Sequence, residues 1–271
     1  MISLPIPSRK QNNWTYNQIS KAGMNLGQLV QALPGSNVSA GHNAHLDPDL
    51  EHMSIKRING WKPAFGQAGA AQRHLQNNGV KKNDLFLFFG SFQHVRVTGL
   101  NIVPENRLWI HVIFGWLLVE KIINVKSINA AYPRWLSTHP HLMNSYNNNT
   151  IYIAQQNLGS LHPSLGGIPG GGVFHQFKKE LVLSAPLPNK RHSVWQLPGW
   201  FIHTNPALRL TYHPQKTLRN GHLRWTLLGN GLCELRSVGQ GQEFVFDSSH
   251  YYPLAKAWAV KILSLAKENF R

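Results

Sequence analysis

The sequence predicts an α+β protein in which a curved mixed or antiparallel sheet, or a partial barrel, is packed by a few helices. Many short apolar segments separated by turn residues indicate strands, whereas two segments have the pattern of helices. Strand and helix segments do not alternate along the chain, which argues against a doubly wound parallel sheet. A length of 271 residues suits one domain, so we expect a single domain over 1–271.

The first half of the chain is expected to contain one helix and long strands after an irregular start. Residues 1–60 are rich in Asn, Gly, Pro and Ser with little periodicity, so we expect irregular structure there. Small and polar residues over 66–78 predict a helix. The apolar run 84–92 predicts a buried strand, and 109–125 predicts another strand, or two with a bend at Gly115.

The second half is expected to contain shorter strands and a C-terminal helix. The Gly-Asn-Gly sequence at 229–231 favours a tight hairpin turn between two of the strands. An amphipathic helix is predicted at about 253–269, with its N-terminal cap at Ser248 and Ser249. Its apolar face comprises Leu254, Trp258, Ile262 and Leu265. The short strands are predicted over 150–154, 181–184, 209–212, 223–228, 232–238 and 243–247.

The charge of the chain predicts a polyanionic partner. Lys and Arg number 27 against 11 Asp and Glu, which gives a formal net charge of +16. Such a surface repels itself, and binding to nucleic acid removes the repulsion and releases counterions from the phosphates. We therefore expect DNA as the partner in preference to a membrane surface.

Cysteine usage and hydropathy bear on the compartment. The single cysteine, Cys233, allows no disulfide within the chain and no thiolate zinc site. Residues 1–10 lack the apolar core of a signal peptide, and the longest apolar stretch, 108–123, is too short and polar to span a bilayer. These features predict a cytoplasmic protein.

Basic and aromatic residues are interleaved in two segments, a pattern typical of nucleic-acid surfaces. Basic side chains would contact phosphates, and an aromatic ring would stack on, or wedge into, an opened base step. Core packing is the alternative role for each tryptophan. The DNA-binding candidates are Lys190, Arg191, Trp195, Trp200, Lys216, Arg219 and Arg224.

The scarcity of acidic residues restricts carboxylate chemistry to eleven positions. Asp47 and Asp49 lie in the densest polar segment, 41–52, where an extended backbone would place both side chains on one side. Neighbouring carboxylates raise each other's proton affinity, as an acid–base pair requires, although an Asp-Pro turn explains the same residues. Asp47 or Asp49 is therefore the first candidate catalytic carboxylate. Glu243, which follows a Gly-rich turn, is the second, and a strand-start charge facing water is its alternative role.

His45 belongs to the same polar segment and allows two interpretations. In the first, His45 and His74 orient a water molecule or bind phosphate. In the second, His45 and Asp47 form the His-x-Asp half of an iron facial triad. Its third ligand would come from His139, His141 or His175.

Further polar residues are candidates for contacting the base. Gln67 and His74 would share one face of the predicted helix, and amides such as Gln67 and Gln72 can read a base edge. Gln242 completes this base-binding set, and an ordinary helix surface is the alternative for the helical amides. The glycine run at 166–172 would let backbone N–H groups approach a phosphate, or it is a flexible connector.

Four motifs resemble those of the third type of nucleotide modification associated domain, and the resemblance covers nearly the whole chain. They lie at 45–50 (His-Leu-Asp-Pro-Asp-Leu), 65–72 (Phe-Gly-Gln-Ala-Gly-Ala-Ala-Gln), 84–90 (Asp-Leu-Phe-Leu-Phe-Phe-Gly) and 241–245 (Gly-Gln-Glu-Phe-Val). The resemblance implies a role in DNA-base metabolism in bacteria or phages, fixes no reaction, and is compatible with an anti-phage glycosylase. Members of this family are expected to have a further stretch before the Ser-Leu-Pro-Ile-Pro motif, which here lies at 3–7.

The motifs that the sequence lacks narrow the reaction. Adding a group to a base requires a donor site, and we find no Rossmann fingerprint, P-loop or methyl-donor loop. Removing a base requires water, a carboxylate, a pocket for the flipped nucleotide and a basic DNA track. We therefore predict a DNA glycosylase without metal or cofactor that acts on a modified base in double-stranded DNA, leaves an abasic site and serves in phage defence. The alternatives are a base-modifying oxygenase or transferase, and a non-catalytic reader of modified DNA.

Overall fold

The structure is a computed structural model, and it describes residues 1–10, 13–98, 101–125, 132–186, 191–202, 210–238 and 243–270. Within these ranges the chain forms four α-helices and thirteen β-strands. The helices are α1 (Leu26–Ala32), α2 (Gly69–Asn77), α3 (Pro140–Met143) and α4 (Tyr252–Ser264). The strands are β1 (Ile6–Pro7), β2 (Trp14–Thr15), β3 (Ser20–Lys21), β4 (Met24–Asn25), β5 (Asn43–His45), β6 (Ala64–Gln67), β7 (Leu85–Thr98), β8 (Asn101–Val125), β9 (Asn149–Ala154), β10 (Gly171–Val173), β11 (Val194–Pro198), β12 (Trp225–Leu227) and β13 (Leu232–Arg236).

The largest sheet is built on the long antiparallel hairpin of β7 and β8. Strand β8 also pairs with β10 and β9, and β9 pairs with β6, so the sheet has the order β10-β8-β9-β6 with β7 added on β8. The predicted strands at 84–92 and 109–125 are confirmed and extend into one hairpin. The predicted bend at Gly115 corresponds to a register shift, because Phe88 pairs with Gly115 while Phe89 pairs with Ile113. This irregularity is typical of a β-bulge that curves the sheet.

Three smaller sheets surround the large one, with the orders β1-β5-β2, β11-β13-β12 and β3-β4. Every strand pair formed by the described residues is antiparallel, and none of these sheets closes into a barrel. The α+β class with antiparallel sheets is therefore confirmed. In the same part of the chain, no helix is long and apolar enough to cross a bilayer.

Several predicted elements differ from the structure for local reasons. The helix expected from residue 66 begins at Gly69, because Gly66 and Gln67 pair with β9 as the end of β6. The strand expected at 243–247 is absent: the backbone of this segment bonds to Thr211, through Val245 N to Thr211 Oγ1 at 2.8 Å and Thr211 N to Val245 O at 2.9 Å, without forming a strand pair among the described residues. Tyr212 then adopts φ of 64°, which ends any extended run near 209–212, whose first residue lies outside the described ranges.

The remaining predictions are partly right. The hairpin between β12 and β13 is confirmed, whereas 181–184 forms a 3₁₀ turn followed by isolated bridges rather than a strand. The C-terminal helix ends as a 3₁₀ segment, Leu265–Phe270, and Ser248 makes no side-chain cap. Its predicted apolar face is wrong at Leu254, which is 51% exposed, but right at Ile262.

The N-terminal region is more regular than expected. Strand β5 lies between β1 and β2, and Asn25 caps α1 by accepting a hydrogen bond from Gln28 N at 3.2 Å. Tyr16, Leu26, Ala44 and neighbouring apolar residues form a buried cluster beneath these elements. This cluster matters for the site because it fixes β5, which leads directly to Asp47.

The glycine run at 166–172 is a packed element rather than a flexible connector. Gly171 and Gly172 lie in β10 opposite Leu117 and Trp116 of β8, and Gly170 O accepts a hydrogen bond from Leu118 N at 2.7 Å. Glycine is needed at 170–172 because neighbouring atoms occupy the space of a side chain there. A Cβ on Gly170 would lie 2.1 Å from the backbone oxygen of Gln155.

Replacing Gly170 with alanine is therefore expected to destabilise the fold by about 1–3 kcal/mol, because backbone must move to admit the methyl group. The matched control is Gly167→Ala, since nothing lies within 4 Å of a Cβ there, and its effect should stay within about 0.5 kcal/mol. Urea unfolding of both variants measures the difference. Equal midpoints would contradict the packing role of Gly170.

Candidate active site

Asp47 is placed by the short strand β5 and the turn that follows it. Leu46 packs in the N-terminal cluster, and Asp47 N donates a hydrogen bond to His45 O at 2.8 Å. This turn brings the two polar side chains together, with His45 Nε2 3.8 Å from Asp47 Oδ2. The Asp47–Pro48 peptide bond is cis.

Three imidazoles and one backbone amide surround the Asp47 carboxylate, whose side chain is only 5% exposed. Its Oδ1 accepts a hydrogen bond from Gly66 N at 2.8 Å and lies 3.4 Å from His139 Nε2. Its Oδ2 lies 3.5 Å from His141 Nε2. Burial raises the pKa of Asp47, but the imidazoles of His139 and His141 outweigh burial and hold the pKa below its usual range. The carboxylate is therefore ionised at neutral pH.

His141 is held in a fixed orientation. Its Nδ1 lies 2.6 Å from Asn149 Oδ1, and Asn149 Nδ2 donates to the backbone oxygen of His141 at 2.7 Å. The ring of Tyr146 stacks on the other side at 4.7 Å, and a Cβ on Gly66 would lie 2.3 Å from the imidazole. Burial lowers the pKa of His141, yet Asp47 and Asn149 together raise it above the usual value. The ring therefore has one position, with Nε2 directed at Asp47.

His139 and His45 complete the group around Asp47. His139 caps α3 by accepting a hydrogen bond at Nδ1 from His141 N, and its buried Nε2 has no hydrogen bond of good geometry among the described residues. Burial lowers the pKa of His45, and the nearby imidazoles of His141 and His139 add to burial against the opposing effect of Asp47. The ligand atoms of His45, Asp47 and His141 all lie within 4.8 Å of one another, so these three residues could hold a metal ion.

Asp49 has a different environment from Asp47. Arg57 binds it with two hydrogen bonds, Nη1 to Oδ2 at 2.7 Å and Nη2 to Oδ1 at 2.5 Å, and Trp61 Nε1 donates at 3.2 Å. Both charged side chains are 3% exposed, so this is a buried ion pair. The structure does not bring Asp49 together with Asp47 at one site.

Glu243 is linked to Asp47 by two adjacent residues at the end of β6. Gln67 Nε2 donates to Glu243 Oε1, while the adjacent residue Gly66 donates to Asp47. Glu243 Oε2 is buried without a hydrogen-bond partner among the described residues. Burial has the largest effect and raises the pKa of Glu243. The hydrogen bond of its own backbone amide comes next and lowers the pKa, the negative charge of Asp47 raises it, and Gln67 lowers it. The two carboxylates therefore have pKa values displaced in opposite directions.

Asp47 and Glu243 both line a cavity of about 1900 Å³. Its wall is largely apolar and includes the aromatic residues Phe65, Phe88, Phe89, Trp195 and Phe244. Ordinary small-ligand pockets measure about 300–1000 Å³, so this cavity has room for a nucleotide and a substituent on its base.

The predicted base-binding residues are not all at this cavity. Gln67 contacts Glu243, whereas Gln72 is buried and accepts a hydrogen bond from Tyr152 OH at 2.9 Å. His74 contacts Thr211 Oγ1 at 3.0 Å, with its ring 4.4 Å from that of Tyr212. Gln242 lies outside the described residues.

The predicted DNA-binding residues divide into an exposed set and a buried set. Arg191, Lys216 and Arg219 are exposed and free to contact phosphates. Arg224 is buried and donates to Arg236 O at 3.1 Å. Trp195 and Trp200 belong to the largest core cluster, Trp195 being buried and hydrogen-bonded to His111 Nδ1 and Trp200 stacked on Phe201 at 4.2 Å. Lys190 falls in a range that the structure does not describe.

Two residues beside the site were not predicted, and two others were predicted only as alternatives. Asn149 and Tyr146 fix His141, and no local pattern in the sequence marks either of them. His139 and His141 were predicted only as alternative third ligands beside His175, which is exposed. The His-Pro-His sequence at 139–141, with a spacing of two around a proline, is the signal that favours this pair over His175.

Comparison with known proteins identifies the family of the chain. The sequence profile of nucleotide modification associated domain 3 matches residues 1–247. No curated protein and no solved structure matches the chain. The matched region contains β5, Asp47, the histidines around it and Glu243, so the candidate active site lies wholly inside the profile. The chain belongs to the nucleotide modification associated domain 3 family.

Proposed function

We propose that this protein is a DNA glycosylase that hydrolyses the N-glycosidic bond of a modified base and leaves an abasic site. Family membership associates the chain with nucleotide modification, which fits a nucleic-acid partner. The observation that carries the proposal is the pair of carboxylates, Asp47 and Glu243, which line one cavity in opposite electrostatic environments. A pair of titratable groups with pKa values pushed apart is the arrangement that separates an acid from an anion in glycoside hydrolysis.

The reaction uses the two carboxylates in different forms. Glu243 in its protonated form gives its proton to the departing base as the C1′–N bond breaks and its electron pair moves to the base nitrogen. The anionic Asp47 stabilises the positive charge that develops on the sugar. A water oxygen then bonds to C1′, and the proton that the water loses passes to the Glu243 carboxylate, which restores the acid. One water is consumed and one base is released.

The cavity and the surface supply the remaining parts. The aromatic residues of the wall offer rings on which an extruded base can stack, and a cavity of about 1900 Å³ has space for a sugar attached to that base. Arg191, Lys216 and Arg219 are exposed cations suited to phosphates of double-stranded DNA. Removal of bases that phages modify would make the protein an antiviral defence enzyme.

The proposal is tested by incubating the protein with phage DNA that carries modified bases, and with unmodified DNA of the same sequence as control. Mass spectrometry measures free base, and an aldehyde-reactive probe measures abasic sites. We expect both products from modified DNA alone and neither with Asp47→Asn. Tight binding without release of base from any modified DNA would identify a non-catalytic reader, and a base that has gained mass would identify a modifying enzyme.

A further inference from the structure

We infer that His45, Asp47 and His141 form the binding site of one divalent transition-metal ion. The three side chains offer two imidazole nitrogens and one carboxylate oxygen, the donor set that favours zinc and iron over magnesium or calcium. They come from β5, the turn after it and α3, so the fold brings together donors that are about a hundred residues apart in the chain. The sequence left His139, His141 and His175 open as the third ligand of an alternative iron site, and family membership assigns no metal.

The distances fit a metal ion. Ligand atoms at about 2.1 Å from a tetrahedral ion lie about 3.4 Å from one another. Asp47 Oδ2 lies 3.5 Å from His141 Nε2 and 3.8 Å from His45 Nε2. The third separation, between the two histidines, is within 4.8 Å, so a small rotation of His45, whose side chain is 22% exposed, completes the geometry.

The surroundings of the three residues resemble the outer partners of a metal site. Asn149 Oδ1 accepts a hydrogen bond from His141 Nδ1, which leaves the lone pair of Nε2 directed at the position of the ion. Gly66 N and His139 Nε2 both approach Asp47 Oδ1, so Oδ2 is the oxygen left for the metal. Without a cation, that Nε2 lone pair would face a carboxylate oxygen at 3.5 Å. A proton on His141 is the other cation that relieves this contact.

Three protein ligands leave coordination positions for water, and Asp47 borders the cavity where a nucleotide would lie. This openness is typical of catalytic rather than structural metal sites. The role of the ion rests on the proposed function: a metal-bound water would lose one proton to solvent near neutral pH and supply the oxygen that bonds to C1′, and Glu243 would regain its proton from solvent. Glu243, which contacts none of the three ligands, would still protonate the base.

The test is metal binding by the full chain, measured without reference to activity. Protein stripped with a chelator is titrated with Zn²⁺, and separately with Fe²⁺ under nitrogen, by calorimetry, and the bound metal is counted by mass spectrometry. We expect one ion per chain, loss of binding in His141→Ala, and about 10–100-fold weaker binding in Asn149→Ala, which keeps all three ligands. The matched control is His74→Ala, because His74 is a half-buried imidazole outside the cluster.

Circular dichroism shows whether each variant is folded. If His141→Ala is unfolded, the metal affinity of Asn149→Ala decides the test. Two results would overturn the metal site: no ion bound to the stripped protein, or equal binding by wild type, His141→Ala and Asn149→Ala. Either result would leave a protonated His141 as the cation beside Asp47. Base release measured in parallel separates the two proposals. Binding of one ion without base release would contradict the glycosylase alone, whereas base release by a protein that binds no ion would contradict the metal site alone.

Discussion

Replacing Glu243 with glutamine is expected to lower the rate of base release by about 10²–10⁴-fold, the usual contribution of a general acid. Glutamine keeps the size and the contact with Gln67 but has no proton to give to the departing base. Single-turnover assays on modified DNA measure the rate. The matched control is Glu180→Gln, since Glu180 is exposed on a 3₁₀ turn and should leave the rate unchanged. A Glu243→Gln variant as fast as wild type would remove Glu243 from the mechanism.

The raised pKa of Glu243 fixes the direction of the pH effects. The charged group that faces Glu243 is Asp47, which raises the pKa of Glu243. The neutral amide of Gln67 lowers this pKa through its hydrogen bond, and Tyr152 lies nearby in its neutral form. Because the acid form is the active one, base release should persist above the ordinary pKa of glutamate and fall as the pH rises through the raised value. The same ionisation makes the folded state less stable over that window. Glu243→Gln should therefore be at least as stable as wild type at neutral pH.

Replacing Arg57 with methionine is expected to destabilise the protein by about 3–5 kcal/mol. The change leaves the Asp49 carboxylate buried and unpaired, and it also removes the contacts of Arg57 with Glu51 O at 2.5 Å and with the Trp61 ring at 4.3 Å. Urea unfolding monitored by tryptophan fluorescence measures the loss.

Two controls separate burial from the mere loss of a charge pair. Lys62→Met breaks the half-exposed pair with Glu120, which has a separation of 2.9 Å, and should cost at most about 1 kcal/mol. The double variant Asp49→Asn/Arg57→Met removes both charges and should recover part of the stability. A single Arg57→Met variant that unfolds at the wild-type urea concentration would show that the buried pair contributes nothing.

Residues whose environment depends on their near neighbours were predictable from the sequence. The run at 109–125 is apolar because many of its side chains lie in the core, and the run at 84–92, which is half-buried, is apolar because its side chains pack against the core, so each marks a strand. The outer part of the β7–β8 hairpin was missed because it is largely exposed and carries Pro104 and charged residues, which hide its strand pattern. Local composition thus reports burial well and pairing of exposed strands poorly.

The site shows the same division. His45 and Asp47 were found together because one turn joins them. The spacing of the two acids favoured Asp49 as the catalytic carboxylate as much as Asp47, and only the folded chain shows that Asp49 forms an ion pair with Arg57. Trp195 and Trp200 illustrate the converse problem, since their position among basic residues favours a DNA surface while Trp195 is buried in the core and Trp200 packs against it. The role of such a side chain depends on residues that are distant in the sequence, and local sequence patterns do not identify those residues.

The contact between Gln67 and Glu243 joins residues 176 positions apart, and Asp47 meets His141 across a loop about half as long. Closing such long loops is slow compared with forming local structure. During synthesis, the N-terminal carboxylate leaves the ribosome long before its acidic counterpart exists. A nascent or truncated chain therefore carries only half of the proposed acid–anion pair, and the pair is complete only when the last strands and the segment after them have been made.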